Sequence, residues 1–169
     1  MSPGFSLQSL LFKPIVLPRD ESFCIQFRAD SYVISFGDAA RFYGEDGHGA
    51  KTYVGYLQNK LLQDPNSAVH VWQGERIVGQ VELGFLRDDP ATGYVNLFYL
   101  IPELRGHGYG ELLDQYATLH YKALGIARVR LSVSPTNASA IWFYQKMGWA
   151  DLGLSERDPT VRLMEKLVS

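Results

Sequence analysis

The sequence predicts an α/β (α+β) domain built on a mixed, mostly antiparallel sheet with flanking helices. Three observations lead there. Residues 10 to 64 read as one short strand and two helices, and residues 69 to 101 as three strands joined by tight turns. A glycine-rich loop then opens an alternation of helix and strand, which demands a parallel crossover beside the hairpins. The 169 residues suit a single domain, 1–169, with one proper core.

The elements follow in order. Leu10 to Leu17 is apolar but carries Pro14, which suits an edge strand. Asp20 is placed to cap a helix with Phe23, Phe27 and Ile34 at near-helical spacing. Gly44-Glu45-Asp46-Gly47-His48-Gly49 reads as a flexible loop, and a second helix follows with Tyr53, Tyr56, Leu57 and Leu61 on one side, ending at Asp64-Pro65-Asn66. Val69 to Gln73 alternates, Gly74-Glu75 turns, and Ile77, Gly79, Val81, Leu83 and Phe85 mark one face of a longer strand. After Asp88-Asp89-Pro90, Tyr94 to Ile101 is nearly continuous in apolar residues, as a central strand would be. Beyond the glycines, Leu112, Tyr116, Leu119 and Ala123 form the expected buried stripe of a helix that ends at Gly125. A strand at Val129 to Val133, a helix from Asn137 to Met147 and strands near Trp149 to Leu154 and Val161 to Leu167 complete the order.

Composition narrows the function. A formal net charge of −2 argues against holding nucleic acid by bulk electrostatics. The single cysteine, Cys24, excludes an internal disulfide framework, and with four scattered histidines it argues against a metal site. Its apolar surroundings make it a small core hydrophobe. The opening MSPGFSLQSLLF lacks the basic flank and long apolar run of a secretory signal, and no stretch is apolar for the ~20 residues of a membrane helix. The expectation is a cytoplasmic protein with no membrane partner.

Arg105-Gly106-His107-Gly108-Tyr109-Gly110 passes from a buried strand into a helix. Such a turn leaves backbone N–H groups unpaired, glycine lets them converge, and the helix dipole adds positive potential, so the loop suits a phosphate. Arg105 could add a charged contact. Glu111 after Gly110 excludes a Walker loop, and Gly-x-Gly-x-Gly departs from the dinucleotide fingerprint. A glycine-rich turn without ligand stays open on this loop alone.

A second motif sharpens the choice. Arg105-x-x-Gly108-x-Gly110 resembles the Q/R-x-x-G-x-G/A motif of the GCN5-related N-acetyltransferases, the GNAT superfamily. Asn137, Ala140, Tyr144, Gly148 and Trp149 resemble that family's N-x-x-A-x-x-x-Y-x-x-x-G-F pattern, with tryptophan at the last aromatic position. The clear match runs from Val69 to Trp149, and the first 65 residues fit by element order.

The resemblance implies a splayed central parallel strand pair and an N-acetyltransferase that moves the acetyl group of acetyl-CoA to an amine by direct attack in a ternary complex. It implies that the amides of Arg105, Gly106, His107, Gly108, Tyr109 and Gly110 bind the pyrophosphate, with the His107 side chain solvated. The strand end Phe98, Tyr99, Leu100 and Ile101 would pair with the pantetheine arm, and the Leu100 N–H would act as oxyanion donor. Asn137 resembles the family asparagine that contacts the cofactor, and it equally suits a helix cap. Tyr144 resembles the family's general acid, a phenol protonated at neutral pH and able to protonate a departing thiolate.

The general base departs from the family pattern. An alkyl amine must lose a proton before it attacks, yet Tyr94 to Ile101 holds no acid and Ser132 stands where some relatives carry glutamate. Glu82 is the carboxylate within the strands nearest the site. With little slippage it would share a face with Asn96, Phe98 and Leu100; a one-residue slip reverses this, leaving water or a backbone carbonyl to take the proton and Glu82 a solvated strand residue. Glu45, Asp46 and His48 lie in the segment that covers the acceptor in such folds and mildly favour a cationic small molecule. Small amines, aminosugars and protein amines all remain acceptors. Relatives of this kind often form homodimers, acetyl transfer needs no metal, and a non-catalytic CoA-binding module is the alternative.

Overall fold

A computed structural model describes residues 9–168, so most of the opening stretch read for targeting signals lies outside it. Along the chain run β1 (Leu11–Pro14), α1 (Glu21–Phe36), α2 (Ala40–Tyr43), α3 (Gly49–Gln63), β2 (Ala68–Gln73), β3 (Arg76–Phe85) and β4 (Thr92–Leu100). Then come α4 (Tyr109–Ala123), β5 (Arg128–Val133), α5 (Ala138–Lys146), β6 (Ala150–Leu154) and β7 (Arg162–Leu167). The seven strands form one sheet in the order β1-β2-β3-β4-β5-β7-β6. Every described pairing is antiparallel except β4 with β5. β1 is an edge strand, as its proline requires, and β4 is central.

The element order holds with one addition, the single turn of α2 within the segment between the two long helices. Asp20 sits at the N-cap of α1 but makes no capping bond; its carboxylate instead accepts from the Arg19 guanidinium at 2.8 Å. The stripe expected on α4 is rotated. The buried positions are Tyr109, Leu113, Asp114, Ala117 and Tyr121, while Leu119 is 67 % exposed. In place of the apolar side chains that periodicity favours, an aspartate and two tyrosines occupy the inner face beside Leu113 and Ala117. Each has a polar partner that makes its burial tolerable. Tyr121 donates to the Gly84 carbonyl at 2.8 Å and lies flat against Gly93, where an added Cβ would fall 2.5 Å from its ring. Asp114 accepts from Trp149 Nε1 at 2.8 Å and from Lys166 Nζ at 2.6 Å. Trp149, the motif's last aromatic, thereby ties the end of α5 to α4.

Both faces of the sheet are covered. On one, α1, α2 and α3 pack through Cys24, Phe42, Tyr53 and Leu57. On the other, Leu113, Ala117, Tyr121, Trp149 and the inner residues of β3, β4 and β5 form the larger core. This explains why β3 is buried from Ile77 to Leu83 on alternate sides alike, where the sequence suggested one inner face.

Two irregularities in β4 position the site. Glu82 pairs with Leu97 but Leu83 pairs with Val95, so Asn96 is an extra, bulged residue. The parallel ladder to β5 runs from Thr92↔Arg128 to Val95↔Leu131 and ends there. Beyond the bulge the two strands part.

Candidate active site

The end of β4 has backbone groups to spare. Ile101 N donates to the Val78 carbonyl at 2.9 Å, so along the same edge the odd residues are committed to β3. Alternation turns the Phe98 and Leu100 N–H groups to the side from which β5 has departed. Among the described residues no strand pairs with that edge.

The glycine loop lies directly after it. A turn of 3-10 helix at Pro102–Leu104 leads to Arg105, and Gly106 and Gly108 adopt positive φ of 76° and 87°. Gly108 is the N-cap of α4 and no side chain among the described residues caps that helix, whose positive dipole end faces the loop. At Gly110 an added Cβ would stand 3.1 Å from the Phe143 ring, so this glycine lets α4 and α5 pack closely. The Arg105 side chain is engaged on the protein itself: Nε donates to the Leu100 carbonyl at 2.9 Å and Nη2 to Asp30 at 3.1 Å. Asp30 also accepts from the Tyr99 hydroxyl at 2.6 Å. Arg105 thus braces the strand end against α1, a use the sequence did not reveal. His107 is exposed on the loop.

Tyr144 stands across the parting, its ring 6.4 Å from that of Phe98 and 6.0 Å from that of Trp149. Burial, with Asp114 adding to it, pushes the phenol above its ordinary value, so it is protonated at neutral pH. No described residue hydrogen-bonds its hydroxyl. Asn137 caps α5, its Oδ1 accepting from Ala140 N at 3.2 Å. Ser132 is bonded to the Tyr94 hydroxyl at 2.6 Å.

On the α1–α3 face a cavity of about 470 Å³ opens. Arg28, Tyr32, Arg41, Tyr53, Tyr56 and the bulged Asn96 contribute to its wall, and Asp46 and His48 to its rim. The covering segment between the first helices is therefore where the sequence suggested, but its charge is not. Asp46 faces His48 at 3.5 Å, Glu45 is absent from the wall, and two arginines that the sequence reading passed over are present. Neither arginine lies in a motif; only the approach of α1 to β4 brings Arg28 in, its Nη1 donating to the Asn96 carbonyl at 2.8 Å.

The register corrects the expectation for Glu82. Val81 pairs with Phe98 and Gly79 with Leu100, while Glu82 and Gln80 pair with Leu97 and Tyr99. Glu82 therefore lies on the opposite face from Phe98 and Leu100, sharing the α1–α3 side with Asn96, which lines the cavity there. The bulge slips the ladder by one residue and reverses the relation. Glu82 is fully buried and does not touch the cavity. The Tyr53 hydroxyl, which does, donates to Glu82 Oε2. Gln80 Nε2 donates to both Tyr53 Oη at 2.8 Å and Glu82 Oε2 at 2.9 Å, and Gln80 Oε1 lies 2.9 Å from His70 Nε2. Burial and then Glu82 raise the Tyr53 phenol above its ordinary value, which keeps it a donor. Cys24, 3.5 Å from His70, ends the chain; burial raises its thiol to about 12, so it is inert.

His70 fixes a pH dependence. Its Nδ1 is buried without a partner among the described residues, so the neutral ring with Nε2–H directed at Gln80 fits and a second proton does not. Burial lowers its value, against the pull of Gln80 and the nearby carboxylates, and burial likewise lowers His120. The unfolded rings protonate near pH ~6.5 whereas the folded ones resist. Stability from this source is whole above that pH and is lost as the pH falls below it. Thermal unfolding followed by circular dichroism should show Tm falling between pH 7 and 5, and less steeply in a His70→Asn variant. An identical slope in the variant would remove His70 from the account.

The comparisons agree with this architecture. The chain belongs to the acetyltransferase (GNAT) family, whose model matches residues 23–149 and so reaches well before the motifs into α1. A ribosomal-protein-alanine N-acetyltransferase from Brucella melitensis superposes with a TM-score of 0.73 at 14 % identity, covering 93 % of this chain and 99 % of its own. The paiA N-acetyltransferase of Thermoplasma acidophilum, solved with coenzyme A, gives 0.67 at 21 % identity, with 94 % and 99 % covered. The yncA protein of Salmonella typhimurium, solved with its cofactor acetyl-CoA, gives 0.71 at 12 % identity, with 95 % of each chain covered. At these identities the likeness shows the GNAT acetyltransferase fold. No significant match is found among curated protein sequences.

Proposed function

We propose that the protein is an acetyl-CoA-dependent N-acetyltransferase in which the amine attacks directly while both substrates are bound. The observation that carries this reading is the parting of β4 from β5 between a glycine-opened helix and a phenol with no hydrogen-bond partner among the described residues. The residues present fit the cofactor. The loop from Gly106 to Gly110 would hold its phosphates, the outward N–H groups of Phe98 and Leu100 its pantetheine amides, and Asn137 its arm from the α5 side. When bound, acetyl-CoA supplies the activated acyl group. Relatives solved with coenzyme A or acetyl-CoA support the assignment.

The rest follows from this chain's own groups. The Leu100 N–H is placed to stabilise charge that develops on a carbonyl oxygen at the strand end. Tyr144 donates its proton to the sulfur as the C–S bond breaks. On the other face, Tyr53 Oη receives the amine proton as its own passes to Glu82 Oε2, which makes Glu82 the final proton acceptor. Location in the cytoplasm and a homodimeric assembly belong to the same reading.

The direct test is calorimetry with acetyl-CoA on wild type and Gly108→Glu. At φ 87° a side chain is strained, and a carboxylate at the mouth of α4 repels phosphate. Micromolar binding is expected in the wild type, with a loss of about 10²-fold or more in the variant. Wild-type protein that does not bind acetyl-CoA would overturn the proposal.

A further inference from the structure

The acceptor wall presents two opposite demands side by side. The Arg28 guanidinium lies beside two aromatic rings, 5.8 Å from the centre of Tyr32 and 5.7 Å from that of Tyr53. One nitrogen is committed to the Asn96 carbonyl, the one hydrogen bond of the group among the described residues. Burial works against its charge, but Glu82 and then the surrounding tyrosines outweigh it, and its value ends above that of an ordinary arginine. Glu82 forms no ion pair with it among the described residues, since Tyr53 and Gln80 donate to the carboxylate and it does not line the cavity. A second cation, Arg41, lies over the Phe36 ring at 4.1 Å and reaches Asp158 at 3.6 Å. Next to Arg28 stands Tyr53, whose oxygen leads to Glu82. The cavity therefore offers a fixed guanidinium to an anion and, one side chain away, a proton-accepting oxygen to an amine.

Resting on the transferase reading above, we infer that the acceptor is a free α-amino acid with an apolar or aromatic side chain, its carboxylate bound by Arg28 and its amine directed at Tyr53. A planar guanidinium takes a carboxylate in two-point contact, and the Asn96 carbonyl and the two nearby rings hold the group in place. Tyr32, Phe42 and Tyr56 furnish the apolar surface for the side chain. A polyamine has nothing to place against Arg28, and a protein N-terminus carries an amide where the carboxylate would be. An unmet guanidinium opposite such a ligand is costly.

The test pairs a carboxylate with its amide. Protein saturated with coenzyme A is titrated calorimetrically with N-acetylphenylalanine and with N-acetylphenylalanine amide. The acid should bind at least about 10-fold more tightly, and Arg28→Gln should abolish the difference. Arg28→Lys, which retains charge without the planar fork, should leave an intermediate preference and serves if the glutamine variant does not fold. Equal binding, tighter binding of the amide, no binding of either, or discrimination that survives Arg28→Gln would each overturn the inference. Turnover with phenylalanine, phenylalanine amide and spermidine separates the two claims. Preference for spermidine or the amide defeats the carboxylate site while the transferase stands. Absence of turnover with calorimetric discrimination intact defeats the transferase while the carboxylate site stands.

Discussion

Replacing Tyr144 with phenylalanine should lower kcat by about 10²-fold while leaving the affinity for acetyl-CoA within about twofold of wild type. The substitution removes one oxygen and keeps the ring. Its contacts with Phe98, Phe143 and Trp149 are made by the ring, so packing survives. The oxygen has no hydrogen-bond partner among the described residues, so no buried group is orphaned when it goes. The lost proton donor then shows in the chemical step alone. Single-turnover transfer and calorimetry on the same preparation give the two quantities. A parallel loss of both would make Tyr144 a cofactor contact, and unchanged turnover would leave the thiolate to be protonated by solvent.

Glu82→Gln should have the second-largest effect, a fall in kcat on the order of 10²-fold. An amide in place of the carboxylate cannot accept a proton, and the chain from Tyr53 loses its terminus. The change is nearly isosteric, but Gln80 and Tyr53 both now donate to Glu82 Oε2, and an amide nitrogen turned toward either would clash as donor against donor. A purely structural role would lower Tm alone. The relay predicts more: the rate of Glu82→Gln should recover as the pH rises, because a larger fraction of the amine is already deprotonated, and Tyr53→Phe should show the same recovery. Variants whose rate stays parallel to wild type across pH would place the base elsewhere.

Much of this was legible in the sequence because local rules carried it. Pro14 marked an edge, the glycines of the loop marked a helix opening, and Asn137 marked a cap, each through backbone chemistry within a few residues. What failed depended on partners far along the chain. The inner face of α4 was misjudged because Asp114 looks like a surface residue until Trp149 and Lys166 meet it. The face of Glu82 was misjudged because a single bulge at Asn96 shifts the ladder, and no composition signal marks asparagine as a bulge. Arg28 went unnoticed because an arginine on an amphipathic helix ordinarily faces water. Only Asn96 and the two tyrosine rings, on other elements or a turn away, hold it over the cavity.

The bulged asparagine also divides the molecule's inheritance. Apart from Asn96, every wall residue of the acceptor cavity comes from positions 28 to 56, and every group assigned to the cofactor or to Tyr144's proton comes from positions 98 to 144. The two sets occupy different stretches of chain and meet at one residue. A lineage can therefore rewrite what it accepts by changing its first third, through substitution or through altered length between α1 and α3, without touching the apparatus that delivers the acyl group.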